Sequence, residues 1–472
     1  MIKHSFLPIV RACGLLCLLY LATASVFYLA YSTTPIHDDS LTTVRLVIFL
    51  IFSPIIIKYL IQLLAIPFYS QVEKSRERNR SIELNQSVSV LIPAWNEQVG
   101  ILKTLKSILS STYKNIELIV INDGSTDNTH QLITQFIEEY KSSTTCPISI
   151  KYLKLTNGGK ARALNEALAI SSGYYVMTID ADSVMYEDTI SNIIRRFTDE
   201  DVAAVAGNVI VGNRKKPIEL MQQLEYLYGF FFKRADSIFN SVYIVGGAAA
   251  AYRKDVLLEV GGFDEELITE DIEMSTRILA HGYKTRYAAD AVVHTEGPSD
   301  LNGLFNQRLR WKYGRILTFI KHRRLFFSSK KIHHPYLTFL LLPLAVYAEI
   351  TLLFEGVLLA IFYGYTIYAN DYMPLIFVIV FISSIISLQI IYDSCSRFHS
   401  NLFILAPVAW LIFYIIDIVE FQALVRSLNK LWKRENLQWQ KWVRVGLDNQ
   451  SLSQPIISSD VELETASDST MA

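Results

Sequence analysis

Asp180 and Asp182 stand one residue apart at the end of an apolar run, Tyr174-Tyr175-Val176-Met177-Thr178-Ile179. Two carboxylates so placed repel each other, and a divalent cation bound between them would relieve that repulsion. The run before them has the length and the Val, Ile, Thr and Tyr content of a strand buried in a mostly parallel sheet. Asp is a poor strand residue, so the pair marks the strand's carboxyl end, where open α/β sheets bind ligands. An extended backbone would point both side chains the same way. A turn with solvated carboxylates is the other reading, and these residues alone leave both open.

Four further clusters could act beside them. Asn122-Asp123-Gly124-Ser125 closes an apolar run, Glu117-Leu118-Ile119-Val120-Ile121. Asn157-Gly158-Gly159-Lys160 offers flexible backbone and an ammonium group to phosphate oxygens. It is no nucleotide-triphosphatase loop, because GxxxxGK(S/T) is absent. Thr269-Glu270-Asp271 opens a helix through Ile272, Met274 and Ile278. With Thr269 at the N-cap, the two acids suit the helix dipole as well as they would suit catalysis. Gln307-Arg308-Leu309-Arg310-Trp311 joins cations to an aromatic ring, and Lys312, Arg315, Lys321, Arg323 and Arg324 continue it as a basic juxtamembrane stretch would.

The elements that must position these residues follow from periodicity. Residues 87–93, 117–121 and 148–155 read as strands, and 99–109 and 161–170 as helices. Another helix runs through Gln131, Leu132 and Phe136, with Asp127 able to cap it. Strand–helix alternation at this spacing predicts right-handed βαβ units. Several strands then end in polar or acidic residues on one shared edge.

At 472 residues the chain has room for two or three domains. It is 51% hydrophobic, too apolar for an ordinary soluble protein, with the apolar residues gathered at both ends. The formal net charge of -1 gives no pull toward nucleic acid. Cys13, Cys17, Cys146 and Cys395 are scattered, which argues against structural zinc and a disulfide framework. Residues 12–32 and 46–68 are each long enough to span a bilayer. Lys3 and Arg11 precede the first, Asp38 and Asp39 lie between, and Lys74, Arg76, Arg78 and Arg80 follow. The positive-inside rule therefore places the region after residue 70 in the cytoplasm of a multi-pass cell-membrane protein.

Three more apolar runs occupy 336–368, 373–392 and 402–425. Glu349 and Glu355 in the first suggest a cavity or interface lining. Three crossings would put the tail outside, yet Arg426, Lys430, Lys433, Arg434, Lys441 and Arg444 argue for inside; a re-entrant or interfacial run is one way to reconcile the two, and the sequence leaves the side of the tail open. The expected division is a membrane region over 1–80, an α/β domain over 81–331 and a second membrane region over 332–425. A basic juxtamembrane segment and an acidic, Ser-rich disordered tail over 426–472 would follow.

Taken in order, Asp123, Asp180-Ala181-Asp182, Thr269-Glu270-Asp271 and Gln307-Arg308-Leu309-Arg310-Trp311 resemble the D, DxD, TED, QxxRW series of processive family 2 glycosyltransferases. These enzymes make cellulose, chitin, hyaluronan and poly-β-1,6-N-acetylglucosamine. The likeness is strongest to the poly-N-acetylglucosamine branch, through Gly207-Asn208, Asn213-Arg214, Gly246-Gly247 and the helix layout. Two departures stand out: Asn122 replaces a frequent acid, and the FxVTxK gating motif is absent.

The resemblance implies a GT-A fold, a UDP-sugar donor and a growing polysaccharide acceptor, with a membrane or export subunit as partner. It implies that Asp123 contacts uridine while Pro93, Ala94 and Glu97 line the nucleotide pocket. Asp180 and Asp182 would hold the diphosphate through Mg²⁺ or Mn²⁺, with Lys160, Arg308 and Arg310 adding positive charge. Asp271 would be the base of an inverting displacement. Glu270, Gln307 and Trp311 would lie toward the diphosphate and acceptor. Two competing readings are a transferase adding one sugar to a lipid carrier and a transporter with a nucleotide-sensing domain. The QxxRW match favours the polymerase. Glu349, Glu355, Asp393, Asp417 and Glu420 are what a transporter would need.

Overall fold

The computed structural model describes residues 39–142, 148–435, 437 and 442–447. The apolar run at 12–32 and the tail from 448 lie outside the described residues. Helices α1 (Asp39–Ala65) and α2 (Tyr69–Arg78) lead into the α/β domain. There β1 (Val88–Ala94), α3 (Ile101–Leu109), β2 (Ile116–Asp123), α4 (Thr129–Ser142), β3 (Ser149–Leu155), α5 (Lys160–Ile170) and β4 (Tyr175–Thr178) alternate as predicted. β1 pairs in parallel with β2 and β4, and β2 with β3. Both faces of these strands are covered. Val90, Ile92 and Met177 pack with Leu105 and Ile108 on one side, and Leu91, Ile119 and Val176 with Leu164 and Leu168 on the other.

The second half of the domain is mixed. It runs β5 (Val184–Met185), α6 (Thr189–Ile194), β6 (Val202–Val211), α7 (Pro217–Ile238), β7 (Ala250–Arg253), α8 (Lys254–Glu259), α9 (Glu270–Ala280), β8 (Lys284–Thr295) and α10 (Leu301–Lys321). The sheet order is β3-β2-β1-β4-β7-β6-β8-β5, with β7 antiparallel to both β4 and β6. This topology places the ends of β1, β2 and β4 beside the start of α9.

One local expectation is corrected. β4 stops at Thr178, and the backbone turns directly after Asp180, where Ser183 N–H donates to the Asp180 carbonyl at 3.0 Å. Asp180 and Asp182 are therefore not on one face of an extended strand. They diverge across a turn and meet different partners.

α9 is fastened to the end of α10 through Glu273, which is fully buried. Its carboxylate accepts from Arg277 Nε at 3.1 Å and lies 2.8 Å from Lys321 Nζ and 2.9 Å from His322 Nε2. Burial alone would raise its pKa, but His322, Arg277 and Lys321 pull it down to about 2. The contribution to stability is thus complete above the ordinary value of 4.5 and fades as pH falls toward 2. Glu273→Gln should cost about 3 kcal/mol at neutral pH, because it removes the fully buried carboxylate that pairs with Arg277, Lys321 and His322. The thermal midpoint measures this, and the deficit relative to wild type should shrink in acid.

Four described segments are long and apolar enough to cross a membrane: Leu46–Arg78, Tyr336–Tyr368, Met373–Tyr392 and Ala406–Lys433. α11 (Leu342–Tyr368) starts against the domain, where Leu342 packs with Leu279, Phe319 and Leu325, and it ends at the exposed Tyr368. α12 (Met373–Tyr392) returns to Asp393, whose carboxylate meets Arg234 Nη2 at 3.2 Å. The next residues stay on the domain. Arg214 Nη1 and Gln223 Nε2 donate to the Phe398 carbonyl at 2.7 and 2.8 Å within the short helix α13 (Ser396–His399).

α14 (Ala409–Lys433) begins where Ala409 packs with Leu224 and Leu227. Just past its end, Tyr313 Oη donates to the Glu435 carbonyl at 3.1 Å. Both ends of α14 therefore touch helices of the α/β domain. Mean hydropathy cannot reveal this, since it averages the lipid-like face of α14 with the face that carries Asp417 and Glu420.

Candidate active site

The carboxyl ends of β1, β2 and β4 open on a cavity of about 1400 Å³. Pro93, Ala94, Glu97, Asp123, Lys160, Asp180, Asp182, Glu270, Asp271, Gln307, Arg310 and Trp311 all line it. Of the thirteen expected residues only Arg308 does not. The same space continues between α11, α12 and α14 to Phe377, Trp410 and Tyr414.

Asp123 organises the glycine turn beside it. Its Oδ1 accepts from Gly158 N–H and its Oδ2 from Gly159 N–H, each at 2.9 Å. Gly124 sits at φ +68°, and a Cβ there would lie 2.5 Å from Asn157 N, so only glycine lets the two turns meet. Asn122, the departure from the acid, spends its amide on structure. Its Oδ1 accepts from Ser125 N–H at 2.9 Å and its Nδ2 donates to Tyr152 Oη at 3.1 Å.

The glycine turn delivers Lys160 to the centre of the site. Its Nζ lies 2.6 Å from Asp180 Oδ1 and 2.9 Å from Glu270 Oε1. Burial would lower its pKa, yet Asp180 and Glu270 raise it, so it stays a fixed ammonium. Burial would raise the Asp180 pKa, but Lys160 holds it below the ordinary carboxylate value. For Glu270 burial wins, and its pKa is raised despite Lys160. Glu270 thus shares the Lys160 ammonium with Asp180 and is no bystander next to Asp271. A Cβ at Gly247 would come within 2.6 Å of Lys160 Nζ and 3.7 Å of Asp271 Oδ2, which places this glycine segment over both groups.

Thr269 holds the N-cap position of α9 without a side-chain cap bond, and its buried Oγ1 has no hydrogen-bond partner among the described residues. It packs instead against Gly314 of α10, where a Cβ would be 2.1 Å from Thr269 Oγ1. That close approach sets Thr269-Glu270-Asp271 against the helix carrying Gln307 to Trp311. Asp271 Oδ1 accepts from Ile272 N–H at 2.9 Å, which orients its carboxylate in the cavity wall. Gln307 is buried, and its Oε1 lacks a partner among the described residues.

Arg308 departs from expectation. It does not line the cavity, and its Nη2 lies 2.6 Å from Glu225 Oε2 and its Nε 3.3 Å from Glu420 Oε1. Its guanidinium stacks 4.2 Å from the Trp311 ring centroid. The i, i+4 spacing to Lys312 puts both cations on the α10 face that meets α14. Arg310 lines the cavity, as do Lys312 and Arg315 farther along the helix.

Sequence reasoning missed Arg444. Its Nη1 lies 2.5 Å from Asp182 Oδ2 and its Nη2 3.1 Å from Glu97 Oε1. Val445 and Gly446 N–H groups donate to Glu296 at 2.6 and 3.0 Å. Trp442 stacks with Arg444 at 4.4 Å and Arg310 at 5.7 Å. In the sequence Arg444 is one of several tail cations. The one available signal was the aromatic–cation pairing Trp442-Val443-Arg444, which echoes Arg310-Trp311.

Among the described residues, no three His, Cys, Asp or Glu side chains converge as a protein-only metal cage. Asp180 and Asp182 still fit a hard divalent ion of the kind that takes one or two carboxylates and completes its shell with substrate phosphates and water. Each already neutralises a cation, Lys160 or Arg444.

Residues 89–261 match the sequence profile of Glycosyl transferase family 2. A poly-beta-1,6-N-acetyl-D-glucosamine synthase of Staphylococcus aureus (strain COL) is 32% identical over 290 residues, covering 60% of this chain and 68% of its own length. The chain belongs to glycosyltransferase family 2. The enzyme of that name from Staphylococcus epidermidis is 34% identical over 233 residues, which span 48% of this glycosyltransferase and 54% of the relative. Among solved structures, a mannosyltransferase from Pyrobaculum calidifontis in complex with GDP-Man and Mn²⁺ aligns at a TM-score of 0.49 and 21% identity, over 82% of this chain and 99% of that one. Membership of that family, together with the mixed, largely parallel sheet flanked by membrane-type helices, makes this a GT-A domain.

Proposed function

We propose that this glycosyltransferase polymerises a sugar from a UDP-sugar, best matched by UDP-N-acetylglucosamine, into a β-linked polysaccharide and passes the chain between its membrane helices. The observation that carries this reading is the single cavity joining Asp123 and Asp180 to Trp410 and Tyr414 of α14 and Phe377 of α12. A growing polymer needs an outlet that runs from the transfer site into the membrane region. The names of the staphylococcal relatives support the choice of sugar. Lys74, Arg76, Arg78 and Arg80 after α1 favour a cytoplasmic catalytic domain, where sugar nucleotides are made.

Asp123 and the glycine turn form the nucleotide end, with Pro93, Ala94 and Glu97 on the adjoining wall. Lys160 and Arg310 supply preorganised positive charge where the leaving diphosphate gathers negative charge. Mg²⁺ or Mn²⁺ held by Asp180 and Asp182 would add Lewis-acid neutralisation of that charge. The acceptor hydroxyl attacks the anomeric carbon as the bond to the diphosphate oxygen breaks and its electron pair leaves with UDP. Asp271 takes the hydroxyl proton. One displacement inverts the centre without a covalent enzyme intermediate. Trp311 offers a ring face to the acceptor sugar.

Incubating membranes with labelled UDP-sugars should yield a polymer from one donor, and release of a single-sugar lipid product instead would overturn the reading. Trp311→Ala should bind UDP as wild type does yet give products shorter by about tenfold, the loss of about 1.4 kcal/mol of ring–sugar contact. A loss of UDP affinity with unchanged product length would move Trp311 to the donor side.

A further inference from the structure

Resting on the polymerase reading, we propose that Glu420 of α14 is a positioning residue for Trp311, acting through Arg308 and Lys312. Three cations of α10 face three carboxylates from three other helices. Arg308 meets Glu225 of α7 at 2.6 Å and Glu420 at 3.3 Å. Lys312 meets Glu349 of α11 at 2.7 Å and Glu420 at 2.8 Å. Arg315 pairs with Glu349. Arg308 is 1% exposed and Lys312 6%, so these are desolvated pairs whose geometry is costly to disturb.

Glu420 has a particular place in this cluster. Its two partners lie on either side of Trp311 in the helix, and one of them, Arg308, is stacked on the indole. Tyr226 approaches the same indole at 6.4 Å between centroids. The ring is therefore framed by a cation that Glu420 helps to hold from a membrane-facing helix. The mobile, rotamer-rich Arg side chain would otherwise be fixed only by Glu225. A carboxylate that touches no reacting atom thus sets the angle at which the acceptor platform meets the sugar.

The test is Glu420→Gln in the full chain. Arg308 keeps Glu225 and Lys312 keeps Glu349, so neither cation is stranded and the variant should still fold, with a lowered thermal midpoint because three cations then share two carboxylates. The acceptor KM should rise, and the product should shorten, by about tenfold, while the UDP dissociation constant stays within about twofold. Glu420→Asp, which retains the charge one methylene farther back, should recover part of the loss. In the double variant with Trp311→Ala, the Glu420 change should add nothing further, since its effect runs through the ring. Full additivity, unchanged acceptor KM, or loss of UDP affinity would each overturn the proposal. If wild type transferred single sugars only, the polymer reading would fall, and the acceptor KM comparison would still decide the role of Glu420.

Discussion

Asp271→Asn should lower sugar transfer by about 10² to 10⁴, the range lost when a general base is removed, while the UDP dissociation constant stays near that of wild type. Asn has almost the same shape and suits a helix start, so a residue serving only α9 would tolerate the change at modest cost. Its side-chain oxygen can still accept the Ile272 N–H that the carboxylate accepts at 2.9 Å. What it cannot do is take up a proton at neutral pH. Glu270→Gln gives a contrasting signature. Glu270 pairs with Lys160 at 2.9 Å, so its removal frees the ammonium that would meet the diphosphate and should alter donor affinity as well as rate. Initial rates and UDP affinities of both variants in purified membranes separate the two roles. A fully active Asp271→Asn enzyme would return this residue to a helix-terminal charge.

Chelating divalent ions should reduce transfer by about a hundredfold or more, in line with several kcal/mol of lost charge stabilisation. UDP binding should weaken in parallel. Asp182→Asn should reproduce both effects even at saturating Mg²⁺ or Mn²⁺, and its UDP affinity should no longer respond to added metal. The structure gives a reason for a large effect at Asp182. Besides Arg444, its carboxylate accepts from Ser183 Oγ at 3.1 Å and Thr295 Oγ1 at 3.3 Å, which fixes its direction. An amide would keep part of that frame and lose the charge. Undiminished transfer in chelator would refute metal dependence at this site.

Much of the site was legible before any coordinates, because its chemistry is written in short segments. Asp123, the Asp180 pair, Thr269-Glu270-Asp271 and Gln307 to Trp311 each close or open a regular element whose apolar period is plain. Strand ends in a βαβ sheet converge on one edge, so their meeting in a cavity followed from local pattern and handedness. The polar departures of Asn122 and the glycines at 158 and 159 were also visible as residues, although their partners were not.

Long-range geometry decided the rest. The turn after Asp180 sends the two carboxylates to Lys160 and Arg444, and no rule of strand alternation contains that turn. Arg308 and Arg310 differ by two positions, which on a helix points them to nearly opposite sides. Which of them enters the cavity depends on where Glu225, Glu349 and Glu420 stand on three other helices. Arg444 reaches Asp182 from 262 residues away in sequence. Its role depends on α14 returning to the domain it left, which hydropathy cannot encode because both faces of that helix enter one average. The sequence by itself determined the family chemistry and the residues able to perform it. Only the tertiary structure decided which charges neutralise one another and which are left facing the substrate, since that balance is set by distances between elements far apart in the chain.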